Sequence, residues 1–491
     1  VLPAAALAVG AGCFAWTASH VWQFAIDDTW ITLRYARHLA AGLGAVYNPG
    51  EPAEGYTSPL WLLALTLPTL LGLDPLLAAK WLGVCATLAA AGLLATWPAE
   101  RAGGPRAAGA VGAALWLAVP RTALHAVSGM ETGLATLCVV ALFRIAADRD
   151  RVVQRAWPLG LCALLAGLTR PELHLLVAVL FLALGARLDR AGRQALLVAA
   201  LACWIMPMLL LESLRIGYYR QQLPLPFYVK SLGASQLPGL PHALEWWGSI
   251  ARHAGVLVVP ALFPLAAALR VPWLATLATM AGLVPFRPIM APELRYLWPL
   301  APVGFLTAGS GFERLWAWCG RLPHAAWPRA VVTAVPLALM LHLVRLAPIT
   351  LSDDMAYARS LEASTLRLGA EIARLAPPDL RLATSDAGAM PYLTDAWTLD
   401  LVGLNSPGVA RRGERTPHDV FDRQHVSALV LVSAEPQRFR AEPWSEYEAP
   451  LASEALARGW RRVTVRRFND SYWLWVMAPP QSTLAALPPG P

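Results

Sequence analysis

Lysine is almost absent from this sequence. Among 40 basic residues only Lys80 and Lys230 are lysines, so the net charge of +8 rests on arginine, and no basic cluster carries a nucleic-acid motif. Nucleic acid is thereby excluded as a partner, and the basic balance fits cytoplasmic loops lying against anionic lipid. Charge of either sign is scarce too. With 15% charged and 56% hydrophobic residues over 491 positions, the chain is too apolar for a soluble multidomain protein and reads as a polytopic membrane protein. Cysteines are few and scattered: Cys13, Cys85, Cys138, Cys162, Cys203 and Cys319 stand singly, five of them in apolar runs. That pattern predicts neither a metal site nor a structural disulfide. No EF-hand loop or histidine cluster calls for a metal, and no cofactor is expected. An internal repeat, the usual basis of a transporter's midplane site, is missing as well.

What is plentiful is tryptophan and proline, 21 and 41 of them. Tryptophan anchors membrane interfaces and proline is tolerated in membrane helices. Arginine then fixes the topology. The groups Arg101/Arg106, Arg149/Arg151/Arg155, Arg187/Arg190/Arg193, Arg270 and Arg314/Arg321/Arg329 fall between apolar runs and should share the cytoplasmic side. This predicts spans at 2–25, 76–97, 107–124, 129–147, 157–169, 172–186, 194–215, 251–269, 272–289, 296–315 and 329–348, about eleven in all. Ser58 to Leu73 would invert every later loop if it crossed, so it is expected to be a re-entrant or surface-lying helix on the outer face. The chain opens at Val1 instead of Met, which implies that residues precede it. A cleaved signal peptide ending near Ala18 is the rival reading of the first run, which nonetheless stays apolar to Ile26.

The outer face then collects 27–55, 125–132, the break Thr169-Arg170-Pro171-Glu172, 217–249, 287–296 and everything after Ala347. From 349 to 491 the composition is that of a soluble unit. Helical periodicity runs from Asp353 to Leu375, and strands are expected at Arg381–Thr384, Trp397–Val402, Ala428–Val432, Arg462–Arg466 and Tyr472–Met477, the last two joined at Asn469-Asp470. The expected fold is mainly α: a transmembrane helical region, 1–348, with juxtamembrane helices, followed by a periplasmic α/β domain.

Two adjacent carboxylates, Asp27 and Asp28, come directly after the first apolar crossing, at the membrane–water boundary. A short amphipathic run follows, then the turn-rich stretch Asn48 to Pro59, which cannot lie in lipid without backbone partners. The string IDDTWITLRYARHLAAGLGAVYNPGEPAEGYTSPLW, with GMET, RPE and DAGAMPYLTDAWTLDLVGLN further on, resembles the GT-C superfamily of integral-membrane glycosyltransferases. Within it the likeness is to actinobacterial-type terminal arabinofuranosyltransferases, which use a polyprenyl-phosphate sugar. It is dense over the first third of the chain, topological in the middle, and confined to one motif in the outer domain. The resemblance implies an inverting transfer with an aspartate of the first outer loop as base, carried over here to Asp27 and Asp28.

Chemistry makes the same demand. A sugar on a lipid phosphate already has a good leaving group, so an enzyme needs cations for the departing phosphate and a base for the acceptor hydroxyl. One carboxylate opposite the phosphate gives inversion, whereas retention needs a positioned nucleophile. The alternative is that Asp27 or Asp28 merely caps the helix expected over 29–41. Candidate phosphate ligands are Arg34, His38, Arg220, Lys230, Arg295 and Tyr296. Arg34 and His38 share one helix face at i and i+4, Lys230 follows an aromatic, kinked loop, and Arg295-Tyr296 re-enters the membrane. Snorkelling to headgroups is the competing role for each cation. Glu54, Tyr56, Trp30, Glu131 and Arg170 are candidates for sugar or acceptor binding, while Glu131 could instead serve a helix dipole and Trp30 an interface. For Asp386, Asp400 and Asn405 turn formation is the default.

These readings converge on a monomeric enzyme of the inner membrane. It would move a sugar, arabinofuranose first, from a polyprenyl-phosphate donor to a cell-envelope glycan acceptor on the periplasmic side. Transfer to protein or lipid A is a rival within the class. A lipid-linked sugar flippase is a rival outside it.

Overall fold

A computed structural model of the chain describes residues 2–97, 107–148, 151–230, 269–283 and 295–490. Most of the expected span 251–269, the end of 272–289, and Arg101, Arg106 and Arg149 lie outside the described residues.

The first part is helical: α1 (Leu2–His20), α2 (Asp27–Ala40), α3 (Pro59–Leu70), α4 (Pro75–Ala95), α5 (Ala107–Ala118), α6 (Pro120–Val127), α7 (Thr132–Ala147), α8 (Ala156–Thr169), α9 (Leu173–Gly185), α10 (Arg190–Tyr219, with a π turn at Leu201–Ile205), α11 (Leu225–Lys230), α12 (Arg270–Leu283), α13 (Ala301–Cys319) and α14 (Ala326–Thr350). Among the described residues, α4, α10 and α14 are long and apolar enough to cross a membrane. They carry large leucines and tryptophans on their outer surfaces, such as Trp81, Leu209, Leu210 and Trp327, which have no protein to cover them. The chain is a multi-pass membrane protein.

Local chemistry sets the breaks. Asp74 accepts the Leu77 amide at 2.7 Å and Pro75 occupies the first turn, so α4 starts cleanly there. The stretch expected as a single span over 107–124 is instead a pair, α5 and α6, bent by 70°. Pro120 has no N–H to continue the ladder past Val119. The doubtful 58–73 segment contains α3, whose 12 residues reach about 18 Å at 1.5 Å per residue, short of a ~30 Å hydrocarbon core. α5 packs closely between α1 and α13. Gly112 and Gly309 make this possible: a Cβ on Gly112 would overlap the Phe305 carbonyl, and one on Gly309 that of Ala108.

Beyond α14 the chain turns into an α/β unit. α15 (Ser352–Ser360), a π turn and α16 (Arg367–Leu375) lead into β1 (Arg381–Thr384). Then come α17 (Ala389–Thr394), β2 (Trp397–Asp400), α18 (Pro407–Arg412), β3 (Ala428–Ser433), α19 (Glu448–Ala457), β4 (Arg461–Asn469) and β5 (Tyr472–Ala478). The sheet order is β2-β1-β3-β5-β4. β1 runs parallel to β2 (Thr384 beside Asp400) and to β3 (Leu382 beside Ala428), while β5 is antiparallel to β3 and β4. Both faces are covered: Leu382, Val430 and Val476 pack with Leu368 and Ile372, and Leu429, Leu431 and Met477 with Leu451 and Ala455. That double burial is why β3 reads as the continuous apolar run ALVLV.

Candidate active site

α2 begins at Asp27 with Ile26 in the cap position, and no side chain caps it. Asp27 does cap a helix, but a distant one. Its Oδ2 accepts the Gly388 amide at 3.0 Å and its Oδ1 the Ala389 amide at 2.8 Å, where α17 begins. The Asp27 amide in turn donates to the Tyr357 hydroxyl at 3.2 Å. Asp27 is 6% exposed. Burial, then the carboxylate of Asp386, push its carboxyl up to about 8 against the pull of the two amides.

Asp28 points to a different set of partners. Its Oδ2 lies 2.9 Å from Nη2 of Arg295, and the same Nη2 donates to the Tyr296 hydroxyl at 3.2 Å. Lys230, at the end of α11, donates to that hydroxyl at 3.2 Å from the other side. Arg170, from the α8–α9 break, lies 4.6 Å from the centre of the Tyr296 ring. Three cations therefore surround one phenol. Burial alone would raise it, but Arg295, Lys230 and Arg170 bring it down to about 8. Arg170 is held by Glu131 at 2.7 Å and Glu172 at 2.6 Å. Glu131 therefore anchors a cation in this cluster and makes no cap bond to α7. Arg295 is 4% exposed, and its Nε and Nη1 have no hydrogen-bond partner among the described residues. A buried guanidinium with two unmet donors is an anion site in waiting.

Six expected ligands lie elsewhere. Arg34 is fully buried and donates to the carbonyls of Tyr47 (2.7 Å), Ala396 (2.7 Å) and Pro391. His38 Nδ1 pairs with the Val46 carbonyl at 2.9 Å and its Nε2 lies 3.5 Å from Asp395. Both side chains tie α2 to its own loop and to the α/β unit. Arg220 is exposed at the left-handed end of α10. Trp30 is buried among Leu33, Tyr35 and Trp61 and offers no open ring face. Glu54 forms a buried ion pair with Arg215 at 2.6 Å, and burial pushes its carboxyl up to about 7. Tyr56 pairs with Tyr219 at 3.0 Å. Glu54 and Tyr56 line a cavity of about 520 Å³ with Arg215, Tyr219, His174 and Phe227. That cavity is separate from the Asp28 cluster but adjoins it through Pro171 and α11.

Sequence reasoning missed Arg215 and His125. Arg215, closing an apolar run, was visible with Glu212 as one of two charges at its end. His125 lies buried, its Nε2 without a partner among the described residues and its ring 5.3 Å from that of Trp298. Asp400 keeps the default role: it accepts the amides of Val402, Gly403 and Asn405. Among the described residues no group of three or more His, Cys, Asp or Glu is placed to hold a metal.

Comparison with solved structures decides the architecture. ArnT from Cupriavidus metallidurans superimposes with TM-scores of 0.54 bound to undecaprenyl phosphate and 0.55 in the apo state. Each match covers 97% of this chain and 98% of the other at 14% identity. The chain has the GT-C fold. Within that fold, curated relatives point more narrowly. The terminal beta-(1->2)-arabinofuranosyltransferase of Mycobacterium tuberculosis is 29% identical over 374 residues, 69% of this chain. That of Corynebacterium glutamicum is 39% identical over 94 residues, 18% of the chain. The chain spans about half the length of the first, 55%, and 13% of the second. Residues 354–483, nearly the whole α/β unit, match a family described only as a domain of unknown function, DUF8728.

Proposed function

We propose that this chain is a membrane glycosyltransferase that moves an arabinofuranosyl residue, with inversion, from a polyprenyl-phosphate donor to a cell-envelope glycan on the non-cytoplasmic side. The observation that carries the reading is the buried Arg295 guanidinium, with two donors unmet among the described residues, which shares the Tyr296 hydroxyl with Lys230 and contacts Asp28, the chain neighbour of Asp27. Arginine and lysine together suit a lipid phosphate, a diester in the donor that gains negative charge as it leaves as the monoester. The names of the curated relatives supply the sugar.

In this reading the donor phosphate sits on Arg295, Lys230 and Tyr296, displacing the Asp28 contact or sharing it. Asp27 takes the proton of the acceptor hydroxyl, whose oxygen attacks the anomeric carbon from the face opposite the phosphate. The bond from that carbon to the phosphate oxygen breaks, and the electron pair leaves with the phosphate, held by the cations. Asp27 fits the base for two reasons: two backbone amides fix its orientation, and its pKa lies near neutral pH. Asp28 fits the role of holding Arg295. The wall arrangement of the reading, with site and α/β unit both outside the cytoplasm, follows the arginine distribution.

The test is transfer by detergent-purified protein from a panel of polyprenyl-phosphate sugars to arabinofuranose oligosaccharides. Asp27→Asn should lower kcat by about 10²–10⁴-fold, the range for a lost general base. Arg295→Gln should chiefly raise the donor KM or lower kcat. Undiminished transfer in Asp27→Asn removes the base assignment, and no transfer by the unaltered protein from any donor removes the reaction.

A further inference from the structure

The proposed transfer leaves unused a group of residues at one edge of the sheet. The chain leaves β1 toward β2 on one side and reaches β3 on the other, so the strand order reverses between β1 and β3. Open α/β sheets take ligands in the crevice outside the carboxyl ends of strands at such a point. Here that crevice holds Ser385 and Asp386 just after β1, Tyr447 just before α19, and Tyr472 at the start of β5. The Tyr472 hydroxyl donates to Asp386 Oδ1 at 2.6 Å, and Ser385 Oγ lies 3.1 Å from the Tyr447 hydroxyl. Two residues after Asp386, Gly388 donates to Asp27. The crevice therefore adjoins the carboxylate proposed as base.

Over Tyr472 lies Trp444, with ring centroids 6.1 Å apart and planes 16° from parallel. Trp444 is 49% exposed, so it fills no core. An exposed indole stacked on Tyr472, whose hydroxyl bonds the Asp386 carboxylate at the inner end, is matched to sugars: ring faces stack on aromatics and hydroxyls donate to carboxylate oxygens.

We propose that this edge is the acceptor subsite, on which a neutral glycan runs over Trp444 and Tyr472 and delivers its terminal hydroxyl past Asp386 to Asp27. This rests on the transfer reading and gives the unit of unknown function a task within it. Asp386, beside Asp27, makes the inner end acidic, which disfavours an anionic polymer.

Saturation-transfer NMR of the full-length protein in detergent, with a linear arabinofuranose oligosaccharide and no donor, tests it. The unaltered protein should bind, and Trp444→Ala should weaken binding about tenfold, equivalent to about 1.4 kcal/mol, with Trp444→Tyr restoring most of it. In transfer assays Trp444→Ala should raise the acceptor KM by a similar factor and leave the donor KM alone. Binding lost in Trp444→Ala supports the inference even if no donor is ever turned over, which would sink only the reaction. Equal binding by Trp444→Ala and unaltered protein, or no binding by either, overturns it.

Discussion

Asp27 has to be ionised to accept a proton, yet its surroundings hold it protonated up to about pH 8. The kcat/KM of the proposed transfer should therefore rise with pH and level off only above about 8, followed with one donor and acceptor across pH 5.5 to 9.5. Stability should move the other way. The folded state keeps this proton after an unfolded aspartate, with an ordinary pKa near 4, has lost it, so Asp27's contribution falls as pH rises from about 4 through about 8. Asp27→Asn should flatten that part of the stability profile, and a stability profile unchanged in the variant would show that the shift belongs to another group. The residue scale also shows what a linear reading could reach. Lys230, Arg170, Arg295 and Tyr296 were legible because positive-inside bookkeeping left them on the face opposite the loop arginines. Arg34 and His38 were not, because the same spacing serves a phosphate or a set of carbonyls equally well. The carbonyls that settle it belong to Pro391 and Ala396, more than 350 residues on.

Between elements, the junction of α2 with α17 is the tightest part of the site. A Cβ on Gly388 would overlap both the backbone oxygen and the carboxylate of Asp27. Gly388→Ala should thus cost about 1–3 kcal/mol, as overpacking does, and should lower transfer through displacement of Asp27 while leaving the Lys230–Arg295 cluster intact. Gly217→Ala, where nothing lies within 4 Å, is the control and should be neutral or slightly stabilising. Thermal unfolding and kcat for both variants check this, and a Gly388→Ala protein as stable and active as the control would mean the junction has slack. All five strands were legible in place, since alternation and turn residues are local signals, but β2 ends at Asp400, short of Val402, and β4 runs on to Asn469, past Arg466. The α5–α6 break was less so: Pro120 marked the place, but apolar composition continues across it, and composition says nothing about a 70° bend.

At the scale of the whole molecule, the proposal requires that all the reacting parts share one side. Four of them, the α1–α2 junction, the α8–α9 break, the residues before α13 and the unit after α14, are brought together through Asp27, Asp28, Arg170, Arg295 and Gly388. Convergence in space does not say which compartment they face; the arginine distribution is the ground for proposing the non-cytoplasmic side, and that proposal can be tested. Cysteine placed at Ser471, in the exposed turn between β4 and β5, should react with a membrane-impermeant maleimide in intact spheroplasts. Cysteine at Arg193, on the exposed first turn of α10, should react only after permeabilisation. The six native cysteines are single and mostly within apolar helices, so the unaltered chain gives the background for both. The reverse labelling pattern would place the carboxylate pair in the cytoplasm, where cytoplasmic loops rich in arginine are expected instead, and a transfer to the cell envelope could not then occur at this site.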